Sequence, residues 1–179
     1  DMKLNYKNAD ENLINNVNEC MKFIKTLAEL LNSVCNVVEN LNDANVNVYF
    51  LSDNSEENEQ YISEFYDFNL TEEWNKYPQN GYSKNWGNGN FDLCLSLQTF
   101  SDYNPAWTTF VFLDEIMHFA YDNMNIPGGV HGMNHHLEFY KSVFNELQNN
   151  RSTIFINEYY NTQIRGFIKT YFFESNFPK

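Results

Sequence analysis

Leu13, Val17, Cys20, Ile24, Leu27, Leu31, Val34, Val38 and Leu41 follow one another at alternating steps of four and three, and this stripe limits the fold more than any other feature. Only an α-helix brings such positions onto one face. The spacing predicts a long amphipathic helix over residues 9–42, with Asn8 and Glu11 as a capping box ahead of it. A coiled-coil seam has the same repeat. Ile14, Met21, Phe23, Leu30, Cys35 and Val37 widen the stripe beyond a seam, which favours a helix lying on a sheet over one pairing with itself.

The sheet is expected next. Val46, Val48 and Phe50 alternate with Asn45, Asn47 and Tyr49, the period of a half-buried strand. A polar, acidic loop covers 52–60, and the aromatic stretch 61–69 reads as a second strand. Residues 70–90 read as turn-rich, with signals at Asn80-Gly81 and Gly87-Asn88-Gly89. Phe91, Leu93, Leu95 and Leu97 then alternate with Asp92, Cys94, Ser96 and Gln98, a further strand. Asn104 as cap and Pro105 in the first turn start a helix that runs to Met124 and stops before Pro127-Gly128-Gly129. A second helix is expected over 135–148, and the aromatic segment 153–173 fits helix or strand. Neither repeats nor an interior linker break the chain. The expectation is one α+β domain over residues 1–179, ordered helix, strands, helix, helix.

Composition narrows the functions. With 42% hydrophobic and 17% aromatic residues the 179-residue chain has enough apolar material for a core. Its 24 acidic against 11 basic residues leave a charge of −13. Such a surface repels phosphate backbones and anionic lipid, so neither nucleic acid nor membrane is an expected partner. Cations and plain solubility suit it better. Cys20 and Cys35 lie roughly 22 Å apart on the expected helix and cannot pair within the chain. With Cys94 the only other cysteine, a reducing compartment is the simpler inference, favouring an intracellular or virion location over secretion. Asn69 and Asn150 open glycosylation-type triplets, but Asn is so common here that chance accounts for them. High Asn with low Lys suggests an AT-biased genome, such as that of a large virus or a microbe.

The residues that could carry chemistry cluster in 113–140. Asp114 and His118 are four apart, hence on one helical face, with Glu115 beside them. His131, His135 and His136 follow, so all four histidines fall between 118 and 136. The plainest account of Asp114, Glu115 and His118 is a solvated polar stripe. His131 and His136 read first as a loop residue and a helix-start residue facing water. Tyr61, Tyr66, Trp74 and Trp86 read as core before they read as a cleft lining.

Residues 109–140 resemble the zinc-binding half of the WLM and SprT-like metallopeptidases, of the small gluzincin-like type. Their pattern is an apolar run into H-E-x-x-H, a loop, and a second helix opening H-x-x-x-F, often H-x-x-E-F-Y. Here stand Val111-Phe112-Leu113-Asp114-Glu115-Ile116-Met117-His118, then Gly128-Gly129, then His135-His136-Leu137-Glu138-Phe139-Tyr140. The resemblance implies a zincin-like fold, with a long N-terminal helix, a small mixed sheet, and the metal-site helix followed by a second helix. It implies peptide-bond hydrolysis through zinc-bound water, with Glu115 as general base, His118 and His135 as ligands, and Phe139 and Tyr140 packing the second helix onto the first. It also implies that the last strand before the metal-site helix, Phe91–Phe100, receives substrate as an added strand.

Asp114 departs from the pattern, standing where the family has its first histidine. A carboxylate can complete a zinc set, but it is shorter than an imidazole. The metal moves, a water bridges, His131 or His136 substitutes, or the site is empty. Two functions therefore stand. One is a zinc peptidase acting on polypeptide. The other is an inactive zincin-fold component of an assembly such as a viral particle, self-associating or holding a partner through the N-terminal helix.

Overall fold

The computed structural model describes residues 2–31, 43–52, 58, 81–123, 134–149 and 158–174. A strand absent from the expectation opens the chain: β1, Lys3–Tyr6, pairs in parallel with β2, Asn45–Leu51. Between them α1, Glu11–Leu31, buries Leu13, Val17, Cys20, Phe23, Ile24 and Leu27. The remainder of the expected helix, 32–42, lies outside the described residues. Its start differs from the expected capping box. Asp10 caps it, with Oδ1 accepting from the Leu13 amide at 2.9 Å. Asn8 instead stitches the chain to β2, donating to the Phe50 carbonyl at 2.7 Å and accepting from the Phe50 amide at 2.8 Å.

The sheet has four strands in the order β1-β2-β4-β3, where β3 is Gly81–Gly87 and β4 is Asn90–Ser96. β2 and β4 run parallel, whereas β3 returns antiparallel to β4. Two expectations change here. Residues 81–87 form a strand inside the stretch read as turn-rich, because pairing with β4 satisfies their backbone. The loop between them is Asn88-Gly89, with φ of 55° and 77°, the positive pair that a tight two-residue hairpin needs. β4 is also bonded on both sides, to β2 and to β3, so it cannot take an added strand. It ends at Ser96, which caps the short helix α2, Leu97–Ser101. The expected strand 61–69 lies outside the described residues.

Alternation sorts the two faces. Val46, Val48, Phe50, Phe91, Leu93 and Leu95 join the main core under the helices. The opposite face carries an amide ladder: Asn5 to Asn45 at 2.8 Å, Asn45 to Asn90 at 3.2 Å and Asn47 to Asp92 at 3.1 Å. Trp86 joins this face, donating to Asp92 at 2.7 Å. It is 43% exposed, not the core residue expected.

Helix α3, Pro105–Asn123, starts as expected: Asn104 Oδ1 accepts from the Trp107 amide at 3.0 Å. It is buried on nearly every side from Ala106 to Met117, which explains why its apolar residues do not form one stripe. Thr109 meets Cys20 of α1, and Phe112 meets Phe100 of α2. α4, Asn134–Asn149, and α5, Glu158–Ile168, follow. α5 passes into a π-helical segment, Lys169–Glu174, so the described part of the ambiguous C-terminal segment is helical. The architecture is α+β, with a small mixed sheet and its described helices on one face. Among the described residues no helix is long and apolar enough to cross a membrane.

Candidate functional site

The second half of α3 carries Asp114, Glu115 and His118. Glu115 is 7% exposed, so it is no part of a solvated stripe. Its carboxyl lies against β3. A Cβ at Gly81 would stand 2.7 Å from Glu115 Cγ and 2.8 Å from Cδ and Oε1, closer than packed atoms allow, so the strand approaches only because residue 81 lacks a side chain. Ser83, two residues on and on the same face of β3, donates its hydroxyl to the carboxyl. Burial first, then the neighbouring Asp114 charge, raises the Glu115 carboxyl well above the ordinary carboxylate range, while the Ser83 hydrogen bond opposes the rise.

Asp114 is half-buried and is held from the other side. Its Oδ1 accepts the Tyr140 hydroxyl of α4 at 2.7 Å. Tyr140 is fully buried. It stacks on Phe172 with centroids 3.8 Å apart and 19° between planes, and meets Phe139 edge-on at 5.2 Å and Phe110 at 6.2 Å. So many ring contacts fix where its hydroxyl can reach. Phe139 and Tyr140 are expected to pack the second helix onto the first: both are buried, and Tyr140 makes the contact with α3, through Phe110 and Asp114.

His118 lies in α3 and His135 and His136 lie in α4. Their side chains, and His131 altogether, fall outside the described residues. Among the described residues no three His, Cys, Asp or Glu side chains gather at a metal-sized point. Cys94 does not supply a nucleophile: it is fully buried, and burial, then the charges of Asp92 and Glu115, hold its thiol well above the ordinary range. A cavity of about 180 Å³ at the carboxyl ends of β2 and β4 is lined by Leu51, Ser52, Ser96, Leu97 and Gln98. None of these titrates near neutrality.

Sequence reasoning passed over Gly81 and Ser83, having read Asn80-Gly81 as a turn. The serine two residues after the glycine becomes informative only once the strand is known. Set against known proteins, the chain matches no family model, no curated protein and no solved structure.

Proposed function

We propose that the chain is a zinc metallopeptidase-like protein of zincin-like fold that hydrolyses peptide bonds, with a metal site altered at Asp114. The observation that supports it is the seat of Glu115. It is a buried carboxyl beside an antiparallel outer strand, on the helix that follows the sheet, next to a carboxylate bonded from α4. A carboxyl displaced from its ordinary range by burial and a neighbouring charge is the kind that moves protons in a site. β4 is bonded on both sides and offers no edge to an extended polypeptide.

The donor set fits zinc: a carboxylate whose orientation is fixed by Tyr140, as outer hydrogen bonds fix ligands in metal sites, and histidines on the same two helices. Zinc, when bound, supplies an acidified water and polarises the substrate carbonyl. Asp114, His118 and His135 would hold it. Glu115 would accept the proton of the attacking water and return it to the leaving amine, and Ser83 would orient its carboxyl.

A second reading is favoured by the same Tyr140 contact, because Asp114 already has a structural occupation: an inactive zincin-fold component of a larger assembly such as a viral particle. Cleavage of an unfolded polypeptide, followed by gel and mass spectrometry with zinc present, separates the two. The peptidase reading requires cleavage by the native chain and none by a folded Glu115→Gln variant. Equal cleavage by both, or none by either, removes it.

A further inference from the structure

After Ile168 the last described helix widens, passing from α5 into the π-helical segment Lys169–Glu174. A π turn holds more residues than an α turn, so successive side chains are rotated by less than the about 100° of an α-helix. Three neighbours in sequence can then face one side together, and here all three are aromatic. The Tyr171 ring centre lies 5.7 Å from that of Trp107 and 5.9 Å from that of Phe110, both on α3. Phe172 lies 6.1 Å from Phe110 and 3.8 Å from Tyr140 of α4. Phe173 lies 5.6 Å from Phe144, one turn further along α4. The wide turn thus spans the seam between the two helices whose side chains meet at Asp114.

Short π turns recur at functional sites, and the middle ring of this one has a specific reach. Rotation about the last torsion of a tyrosine leaves Oη in place but swings the O–H bond, which lies in the ring plane. That torsion has only a broad preference of its own, so neighbours decide it. Around Tyr140, Phe139 stands edge-on at 85° and Phe110 is tilted by 50°. Of these three rings only Phe172 lies flat on it, 19° from parallel. Phe172 is 2% exposed and cannot swing away without opening the core. The plane it imposes is the plane in which Tyr140 donates to Asp114 Oδ1 at 2.7 Å.

We infer that Phe172, presented by the π-helical turn, is a positioning residue: by setting the ring plane of Tyr140 it fixes the direction of the hydrogen bond to Asp114, and so the orientation of that carboxylate. The inference rests on reading the junction of α3 and α4 as the site, and adds what holds that junction in shape.

Two leucine variants of the whole chain test it. Phe172→Leu keeps apolar bulk without a flat face, and Phe173→Leu makes the same change one residue on, against Phe144. With tyrosine carbon-13 labelled at Cζ, the Tyr140 resonance is identified by its loss in Tyr140→Phe. Phe172→Leu should move that resonance toward the position of a tyrosine bonded to water. Phe173→Leu should leave it in place, although both variants lose core contacts and unfold earlier in urea. Where a leucine variant fails to fold, methionine at the same position is flexible enough to fill the space and gives the same comparison. A Tyr140 resonance unmoved by Phe172→Leu, or moved equally by both variants, overturns the inference. Where the native chain cleaves polypeptide, kcat should fall about tenfold or more in Phe172→Leu and less than about twofold in Phe173→Leu; equal losses overturn the inference as well. A native chain that cleaves nothing removes the peptidase reading and leaves the resonance to decide the positioning role.

Discussion

Asp114 and Glu115 are sequence neighbours on α3, yet successive helical positions turn by about 100°, and each carboxyl meets a different partner. Asp114 reaches Tyr140 of α4, whereas Glu115 reaches Gly81 and Ser83 of β3. Tyr140→Phe removes a hydrogen bond to a charged acceptor while keeping the ring stack, so urea unfolding at pH 7 should show a loss of about 1.5–3 kcal/mol. A loss below about 0.5 kcal/mol would mean the bond contributes little beyond ring packing. The Glu115 carboxyl is raised above its ordinary value of 4.5 in the fold. Above 4.5 the native state thus holds more protons than the unfolded chain, and its stability falls as pH rises through the folded value. Glu115→Gln deletes that slope. Unfolding midpoints followed from about pH 5 to about pH 8 should fall more steeply for the native chain than for the variant; parallel curves contradict the assignment. Zinc at the site would pull the carboxyl back toward its charged form, so added metal should flatten the difference. The Asp114–Glu115–His118 spacing was legible in the sequence. The partners of the two carboxyls were not, because each comes from an element more than twenty residues away in the chain.

Helices α3 and α4, and the described body of α1, were readable because their signals are local: a 3–4 spacing and an Asn-Pro start. β2 and β4 were readable from alternation, but alternation is the same in an edge strand and a central one, so the place of β4 in the sheet was not. β1 is only four residues long and exists through pairing with β2 some forty residues later. β3, with glycine at both ends, has weak strand character of its own. Its formation depends on β4 and on the close seat of Glu115. Gly81→Ala would force atoms below 3.0 Å against a side chain too buried to swing aside, and should cost about 1–3 kcal/mol. Gly89→Ala, in the hairpin at φ 77° but with only the Asp43 carbonyl near at 3.5 Å, should cost about 1 kcal/mol through backbone strain alone. Chemical denaturation of the two variants, with amide exchange in β3, should show Gly81→Ala as the more damaging. The reverse order would mean that Glu115 yields easily.

Across the whole molecule, one core joins α1, the inner sheet face, α3, α4 and the C-terminal helix, and the two carboxyls sit where sheet edge, α3 and α4 meet. A net charge of −13 raises the local concentration of cations around that junction and repels polyanions. A metal bound only by the folded state adds stability by mass action, so a strong chelator should lower the thermal midpoint of the native chain and leave an Asp114→Ala/His118→Ala variant unchanged. On the metal-site reading, Asp114→His should raise zinc affinity sharply, since an imidazole reaches further from the helix than an aspartate. The most direct measurement is the zinc content of the whole chain, purified under metal-replete conditions and read by elemental analysis. A resident site predicts about one equivalent per chain, and less than about a tenth of an equivalent contradicts the metallopeptidase-like account.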